Sequence, residues 1–274
     1  MIKLGLIGAG RIGTLHARNI GNNNKCKLIF IYDTDNERAN KVAGLYGSHV
    51  ADTPENLINN SDIDAVLICS PTDTHIDMIN LTAEAGKPIF CEKPIDLDID
   101  RVFACIEKLQ KNPVPFTIGF HRRFDLHHRA LRDTIFNNSI GNVEQIRISS
   151  RDPAPPPLNY IKLSGGIFRD MMIHDLDQCR FLLNKPLVQV FARGDTLVDP
   201  AIGKAGDFDT VTALFWTADG VSVTIQNSRR AHYGFDQRIE VFGSKGKVSL
   251  DNVPLNQTVV ANTKGFVHSV LPTH

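Results

Sequence analysis

The chain opens with an apolar run at residues 2–7 that leads directly into the glycine segment GAGRIG at residues 8–13. A Gly-x-Gly-x-x-Gly segment between a strand and a helix is typical of a dinucleotide-binding turn. Gly8 would permit the tight turn, Gly10 would let the backbone approach a pyrophosphate, and Gly13 would let the helix pack closely on the strand. The sequence therefore predicts an opening βα unit whose helix N-terminus faces phosphates.

Asp33 stands at the end of the second predicted strand, twenty residues after Gly13. A carboxylate at this position accepts hydrogen bonds from adenosine-ribose hydroxyls and repels a 2′-phosphate, which favours NAD over NADP. Arg38 could still assist a 2′-phosphate, and a purely structural glycine turn is the alternative interpretation. The predicted cofactor contacts in this part of the chain are Gly8, Gly10, Arg11, Ile12 and Asp33.

Short apolar runs alternate with helical patterns over residues 1–119. The predicted strands cover residues 2–7, 28–32, 65–69, 88–91 and 116–118, and the predicted helices cover residues 12–20, 36–46, 75–85 and 99–111. Strands that are apolar throughout are typical of a parallel sheet covered on both faces. Strand–helix alternation of this kind builds right-handed βαβ units. We therefore predict an α/β fold with a doubly wound, Rossmann-type parallel sheet as the N-terminal domain.

The pattern changes in residues 120–274, which we predict to form a second domain. Its predicted helices cover residues 126–136 and 169–183, and its predicted strands cover residues 142–149, 188–193, 210–217, 221–227, 238–242 and 247–250. Turns at Asp219-Gly220 and at residues 243–246 separate some of these strands, as in an antiparallel meander. The second domain is therefore predicted to be α+β, with an open, mostly antiparallel sheet.

Charge and cysteine content exclude several classes of protein. Lysine and arginine (30 residues) balance aspartate and glutamate (30 residues), so no field of one sign is available to bind nucleic acid. The five cysteines are odd in number, widely scattered and without a CxxC pair, which excludes a disulfide scaffold and a cysteine-based zinc site and fits a reducing cytoplasm. No apolar run approaches the ~20 residues of a membrane span, and the N-terminus lacks a signal-peptide core. We predict a cytoplasmic protein without a membrane partner.

Two further segments follow buried strands, where the ligands of a doubly wound sheet bind. Residues 69–75 read CSPTDTH, and residues 91–94 read CEKP. Alone, the first would be an ordinary turn and the lysine of the second a solvated charge. A lysine directly after a buried strand can instead donate to a substrate hydroxyl and to the nicotinamide ribose. The predicted cofactor contacts in these segments are Ser70, Thr72, His75, Glu92 and Lys93.

Together these segments resemble the Gfo/Idh/MocA oxidoreductases, which are sugar and polyol dehydrogenases with a Rossmann domain and a C-terminal α/β domain. The matching segments are residues 8–13, 70–75, 92–94 and 119–125. Two later segments, SRDPAPPP at residues 150–157 and SGGIFRDMMIHDLD at residues 164–177, resemble the inositol 2-dehydrogenase branch in particular. Relatives usually continue past the position of His274, so the resemblance implies either a second domain truncated at its C-terminus or a sequence that is part of a longer chain.

The resemblance implies catalytic roles for Lys93, Asp170 and His174. His174 would remove the alcohol proton while hydride leaves the same carbon, Asp170 would orient His174, and Lys93 would hold the substrate oxygen. A spacing of four residues also places Asp170 and His174 on one helical face, after glycines 165 and 166, where the chain could approach a ligand closely. A surface ion pair and a zinc site are the alternatives. Because no third ligand with recognisable spacing is present, we predict no metal.

The resemblance also implies contacts to a small polyol. The predicted substrate contacts are Lys93, Arg122, Asp152, His174, Asp177 and Tyr233. A polyol presents only hydroxyls, so its pocket needs carboxylates and amines that bridge neighbouring OH groups. Asp177 could equally be a helix-surface charge. The histidines and arginines of residues 121–129 are interpreted as a site wall or a solvated helix face rather than a nucleic-acid surface.

The reaction implied is the NAD-dependent oxidation of myo-inositol to 2-keto-myo-inositol (scyllo-inosose), within inositol catabolism. One alternative is the same chemistry on another cyclic polyol or aldose, such as scyllo-inositol or glucose. A second is an inactive NAD-binding sensor, against which the joint presence of Lys93, Asp170 and His174 argues. The resemblance further implies a homotetramer.

Overall fold

The structure, a computed structural model, describes residues 1–256, 258–263, 265–268 and 271–272. The chain divides into two compact units, Met1–Gly119 and Phe120–His274. Within the described residues, no helix is both long enough and apolar enough to cross a membrane. Each unit is built on a sheet of its own.

Residues 1–119, all of which are described, form a six-stranded parallel sheet with five helices around it. The strands are β1 (Ile2–Ile7), β2 (Cys26–Tyr32), β3 (His49–Val50), β4 (Ala65–Ile68), β5 (Ile89–Cys91) and β6 (Phe116–Ile118). The helices are α1 (Arg11–Gly21), α2 (Asn36–Tyr46), α3 (Pro54–Ile58), α4 (His75–Glu84) and α5 (Ile99–Lys111). The strand order is β3-β2-β1-β4-β5-β6, so the chain winds outward from β1 in both directions. This confirms the predicted doubly wound sheet.

The C-terminal half of the central strand, β1, is buried on both faces, as its apolar sequence predicted. Leu6 and Ile7 are neighbours on β1 and point to opposite faces. Leu6 belongs to an apolar cluster with Ile31, whereas Ile7 belongs to a second cluster with Ile68. The sheet is therefore the middle layer of three, and its carboxyl edge carries the loops after β1, β4 and β5.

Two elements of this unit were absent from the sequence prediction. β3 has two residues, which is too short for any periodic pattern. α3 has five, but its start carries a recognisable signal: the Thr53 hydroxyl accepts a hydrogen bond from the Asn56 amide, and Pro54 occupies the first helical position. A threonine cap followed by proline is typical of a helix start, so α3 was predictable from sequence and β3 was not.

The second unit carries a mixed sheet with strand order β12-β11-β7-β10-β9-β8. The strands are β7 (Val143–Arg151), β8 (Leu187–Asp195), β9 (Thr210–Thr217), β10 (Ser222–Ser228), β11 (Asp236–Gly243), β12 (Gly246–Leu250), and a separate hairpin of β13 (Val259–Asn262) and β14 (Gly265–His268). The helices are α6 (Leu126–Phe136), α7 (Leu158–Leu163), α8 (Ile173–Leu183) and α9 (Pro200–Lys204). The predicted class, α+β with a mostly antiparallel sheet, is confirmed.

The predicted meander is wrong at one point. β7 lies between β10 and β11, parallel to β10 and antiparallel to β11, so the run of hairpins stops after β10. β10 and β11 are joined by residues 229–235, a longer connection than a two-residue hairpin turn. An inserted strand cannot be read from local turn signals, because its partners are distant in sequence.

One face of this sheet forms the core of the unit. Ile146 and Ile148 of β7 and Val223 and Ile225 of β10 are almost fully buried, and they belong to a cluster with Leu182 of α8. The alternation of these positions continues beyond the apolar residues into polar ones, and those polar positions carry the candidate site.

Candidate active site

The three glycines of the first turn have three different environments. Gly8 has φ of +96°, and a Cβ there would lie 2.6 Å from the backbone of Cys69 and Ser70. A Cβ on Gly13 would overlap the carbonyl oxygen of Gly8. A Cβ on Gly10, by contrast, would meet no described atom within 4 Å. Gly8 and Gly13 are therefore required by packing, while Gly10 leaves open space at the N-terminus of α1, where a pyrophosphate fits.

Asp33 lies at the end of β2 with its carboxylate held beside the glycine turn. The amide of Ala9 donates to Asp33 Oδ2 over 2.6 Å, and the amide of Asp35 donates to Oδ1 over 2.8 Å. Arg38 lies 3.6 Å from Asp33 and 3.1 Å from Asp35, so its guanidinium already faces two carboxylates. This charge arrangement fits a ribose diol and opposes a 2′-phosphate.

The segment after β4 is fixed by His75, the first residue of α4. This ring is buried, with Nδ1 2.8 Å from the carbonyl oxygen of Pro94 and Nε2 2.9 Å from that of Ser70. Both neighbours are carbonyl acceptors, so a ring nitrogen that carries a proton has an acceptor within reach on either side. Thr72 opens a short 3₁₀ turn, and the Thr74 hydroxyl lies 2.7 Å from that of Ser70. His75, predicted as a cofactor contact, thus ties two backbone segments together.

Glu92 anchors the segment after β5 that carries Lys93. Glu92 Oε1 lies 2.8 Å from Nε2 of His16 on α1, and Oε2 accepts from the Lys93 amide over 3.3 Å. A Cβ on Gly119 would approach the Glu92 carboxylate to 2.9 Å, so a larger residue there would displace this carboxylate. The Lys93–Pro94 peptide is cis. Glu92 therefore fixes the backbone of Lys93, which is half-buried at the carboxyl edge of the sheet.

In the second unit, the predicted continuous helix at 169–183 begins differently. Residues Phe168–Met172 form a π-helical turn, and α8 follows directly. Asp170 lies in the π turn, and His174 lies in the first turn of α8. The His174 ring packs 5.0 Å from that of His121 and 6.3 Å from that of Phe120. π turns are frequent at functional sites, because the extra residue changes where side chains point.

Asp170 receives donors on both carboxylate oxygens. The hydroxyl of Tyr160 donates to Oδ1 over 2.8 Å, and Nη1 of Arg229 donates to Oδ2 over 3.3 Å. Arg229 is fully buried, and its Nη2 lies 3.5 Å from Asp207 Oδ2. The carboxylate of Asp170, four residues before the predicted base, is therefore held in one orientation.

Sequence reasoning missed Arg229, although a signal was present. Val223 and Ile225 face the core from β10, and the same alternation continues through Asn227 to Arg229. A polar residue that extends the buried face of a strand must find a buried partner. That pattern marks Asn227 and Arg229 as candidate site residues.

Arg122, predicted as a substrate contact, is hydrogen-bonded to other side chains of the protein. Its Nη1 donates to Asp175 Oδ1 over 2.6 Å, where the hydroxyl of Ser150 also donates over 2.6 Å. The other oxygen of Asp175 accepts from Asn227 over 2.7 Å. All four side chains are buried. The network fastens α8 to β7 and β10 immediately beside His174.

Asp177 and Tyr233 also have protein partners. Arg123 donates to both carboxylate oxygens of Asp177, from Nε to Oδ2 over 2.8 Å and from Nη2 to Oδ1 over 2.7 Å. Tyr233 is 54% exposed, and its hydroxyl donates to Asp236 over 2.7 Å. Hydrogen bonds from Tyr233, Asn252 and Arg151 outweigh burial and hold the pKa of Asp236 at about 2. A substrate role for Asp177 or Tyr233 would have to coexist with these bonds.

Asp152 differs from the other predicted substrate contacts, because burial rather than hydrogen bonding has the largest effect on the pKa of its carboxyl. Burial raises the pKa of Asp152 to about 6, Arg229 lowers it, and Asp170 raises it further. The half-buried carboxyl thus lies near the buried cation and the predicted catalytic carboxylate. Among the described residues no cluster of three metal-ligand side chains is placed to hold a metal ion, and the metal-free chemistry stays a prediction.

Asp152→Asn is expected to stabilise the protein at pH 8 and to change little at pH 4. In the folded state the pKa of Asp152 is about 6, against an ordinary value of 3.8, so the folded protein keeps this proton to a higher pH than the unfolded chain does. Wild-type stability is therefore lost as pH rises through this window, by up to about 3 kcal/mol. Urea unfolding of both proteins between pH 4 and 8 measures the difference, with the exposed Asp195→Asn as control. Parallel pH profiles for wild type and Asp152→Asn would contradict the assignment.

Comparison with known proteins places this geometry in a family. A family model described as "Oxidoreductase family, NAD-binding Rossmann fold" matches residues 2–120, and one described as "GFO/IDH/MocA C-terminal domain" matches residues 128–249. Inositol 2-dehydrogenase of Rhizobium meliloti (strain 1021) is 48% identical over 98% of this chain and 82% of its own length. Myo-inositol 2-dehydrogenase of Thermotoga maritima is 44% identical over 96% of this chain and 79% of its own.

Solved structures agree. The crystal structure of a myo-inositol dehydrogenase from Corynebacterium glutamicum has a TM-score of 0.95 at 41% identity, covering 100% of this chain and 82% of that one. The crystal structure of scyllo-inositol dehydrogenase from Lactobacillus casei with NAD(H) and scyllo-inositol has a TM-score of 0.91 at 32% identity, covering 98% and 82%. The chain therefore belongs to the Gfo/Idh/MocA oxidoreductase family, and its first unit is an NAD-binding Rossmann domain.

Proposed function

We propose that this protein is an NAD-dependent dehydrogenase that oxidises myo-inositol to 2-keto-myo-inositol. One observation carries the proposal: sequence identity of 48% and 44% to proteins named inositol 2-dehydrogenase and myo-inositol 2-dehydrogenase extends over nearly the whole chain. Lys93, Asp170 and His174, the residues that the chemistry requires, are all present. The open space at Gly10 and the carboxylate of Asp33 support NAD as the cofactor.

His174 is the proposed general base. Its neutral imidazole takes the proton of the substrate hydroxyl, the C2–H bond breaks, and the electron pair of the O–H bond forms the carbonyl. Bound NAD⁺ supplies the acceptor for the hydride that leaves C2. Asp170 orients His174 and balances the charge of its imidazolium, while the Lys93 ammonium donates to the substrate oxygen and stabilises the developing alkoxide. Atoms and charge balance with the ketone, NADH and one proton as products.

Asp152 is the predicted substrate contact best supported by the second unit. Its carboxyl is half-buried, its pKa is set by burial and neighbouring charges, and it lies in the field of Asp170 and Arg229. A carboxylate in such a place can accept hydrogen bonds from two adjacent hydroxyls of a polyol. Arg122, Asp177 and Tyr233 stay proposed contacts, with protein partners that limit them.

The decisive measurement is NADH formation by the purified protein with NAD and a panel of myo-inositol, scyllo-inositol and glucose. We expect the highest kcat/KM with myo-inositol. His174→Ala and Lys93→Ala should each lower kcat by a factor on the order of 10² or more, since each removes a proton-transfer or charge-stabilising group. NADH binding, measured by fluorescence, should change little in His174→Ala and stay largely intact in Lys93→Ala, which removes only one of the predicted cofactor contacts.

Two results would overturn the proposal in different ways. Preference for scyllo-inositol or glucose would keep the chemistry and correct the substrate. NADH binding without turnover of any member of the panel would favour an inactive sensor.

Asp33→Ala is expected to weaken NAD binding and to permit NADP. The variant loses the acceptor for the ribose hydroxyls and the charge that repels a 2′-phosphate, and it removes one of the two carboxylates that Arg38 faces. The ratio of kcat/KM for NAD to that for NADP should fall by a factor on the order of 10–100. Asp35→Asn, which also alters a partner of Arg38, serves as control and should keep its preference for NAD. An unchanged ratio in Asp33→Ala would contradict the ribose assignment.

We further propose that the protein acts as a cytoplasmic homotetramer in inositol catabolism, binding neither nucleic acid nor membrane. The five free cysteines support a reducing compartment. The edge strand β8 supports self-association, because Val190 and Phe191 are 64% and 66% exposed. Phe191 pairs with Leu214 on β9, so the two strands at this edge share apolar side chains on one face.

Phe191→Lys is expected to reduce the tetramer to smaller species. A lysine on a buried apolar interface costs the desolvation of its charge, whereas the same change on a free surface costs little. Analytical ultracentrifugation at several concentrations measures the effect. Leu197→Lys, at an equally exposed leucine outside the sheet, is the matched control. A monomeric wild type, or a tetramer insensitive to Phe191→Lys, would remove β8 from the interface.

A further inference from the structure

The geometry points to Arg229 as a positioning residue that acts on the reaction through Asp170. The inference rests on the proposed function, because it concerns the orientation of a proposed catalytic group. Arg229 itself is fully buried, so it is assigned no contact with substrate.

The contacts of Arg229 form a bridge between two carboxylates. Nη1 lies 3.3 Å from Asp170 Oδ2, and Nη2 lies 3.5 Å from Asp207 Oδ2. A guanidinium presents its donors in a rigid planar fork, so anchoring one arm on Asp207 restricts where the other arm can meet Asp170. The position of Asp170 Oδ2 is thus set by a group on the sheet rather than by the rotamer preferences of its own side chain.

The anchor is rigid at both of its ends. The amide of Arg229 donates to the carbonyl oxygen of Asp209 over 2.8 Å, which links the end of β10 to the start of β9. Asp207 Oδ1 accepts from the amide of Ile167 over 2.9 Å, one residue before the π turn. Asp207 therefore holds the backbone that leads to Asp170 as well as the cation that holds its side chain.

Gly166 belongs to the same bridge. A Cβ at this position would lie 2.7 Å from Asp207 Oδ1, and the residue has φ of +82°. From the sequence, Gly165 and Gly166 were predicted to give a ligand room to approach. The structure corrects this for Gly166, because the Asp207 carboxylate occupies that space. The glycine is needed so that Asp207 can reach Ile167 and Arg229 together.

Tyr160 completes the orientation of Asp170 from another element. Its hydroxyl donates to Oδ1 over 2.8 Å from α7. Donors on Oδ1 and Oδ2 from two elements fix the plane of the carboxylate. Tyr160 is 44% exposed whereas Arg229 is buried, so Arg229 supplies the part of the restraint that water cannot replace.

A double-mutant cycle separates positioning from plain stabilisation. Arg229→Gln should lower kcat for myo-inositol by a factor on the order of 10–100, because small misplacements of catalytic groups cost that much. In an Asp170→Asn background the same change should alter kcat by less than about threefold, since the group it positions is already disabled. KM and the Kd for NADH should stay within about twofold in all variants. Arg230→Gln, at the exposed neighbouring arginine, is the control and should match wild type.

Equal losses in the two backgrounds would overturn the inference, and so would full activity of Arg229→Gln. If Arg229→Gln does not fold, Asp207→Asn and Arg229→Lys carry the same cycle. Asp207→Asn keeps an acceptor for Ile167 but removes the charge that anchors the guanidinium. Arg229→Lys should recover only part of the rate, because an ammonium cannot bridge both carboxylates in one plane.

A crystal structure of Arg229→Gln, or of Asp207→Asn in its place, tests the inference without turnover. We expect the Asp170 carboxylate to rotate away from its wild-type orientation while Tyr160 keeps its place. An Asp170 that does not move would overturn the positioning role. Absence of wild-type turnover with every polyol would instead overturn the proposed function, and the crystal structure would still decide the role of Arg229.

Discussion

The unit Phe120–His274 depends on buried charges that lie on the inner face of its sheet. Arg229 continues the buried alternation of β10, and Arg122 faces Asp175 within the same interior. An unpaired buried ion costs several kcal/mol, against about 1.5–3 kcal/mol gained by burying one large apolar side chain. The apolar core alone would tolerate a shifted helix, but a shifted helix would leave both guanidinium groups buried without their carboxylate partners. Asp170 and Asp175 therefore fix where the helical segment lies on the sheet.

This pairing explains why the helical segment begins with a π turn. Asp170 faces Arg229, which follows β10, and Asp175 faces Asn227 on β10, although the two aspartates are five residues apart. In an α-helix, residues five apart are rotated by about 140° and face different directions. A π turn, whose hydrogen bonds join residues five apart, rotates less per residue than an α-helix and so reduces this difference in direction. The turn at Phe168–Met172 thus brings both carboxylates toward one strand, and His174 between them acquires its setting from the same constraint.

The sequence predicted those features that local patterns determine. Uninterrupted apolar runs gave the parallel sheet, and the spacing from Gly8 to Asp33 gave the cofactor turn. The position of β7, the π turn and the partners of Arg122 and Asp177 were not predictable in this way, because each depends on residues distant in sequence. An arginine near an aspartate in a motif reads alike whether it binds substrate or a buried carboxylate. Only the three-dimensional partner, Asp175 for Arg122 and Arg123 for Asp177, separates the two interpretations.

In the Rossmann unit, polar side chains hold backbone groups rather than buried charges in place. Asp33 binds the amide of Ala9, His75 joins the carbonyl oxygens of Ser70 and Pro94, and Glu92 holds the amide of Lys93. Each titratable side chain thus fixes a loop that follows a strand of the sheet. Loops that are already ordered lose little conformational entropy when a ligand binds, so more of the binding energy is retained. The side chains that fix these loops are as necessary to the site as those that would touch the cofactor.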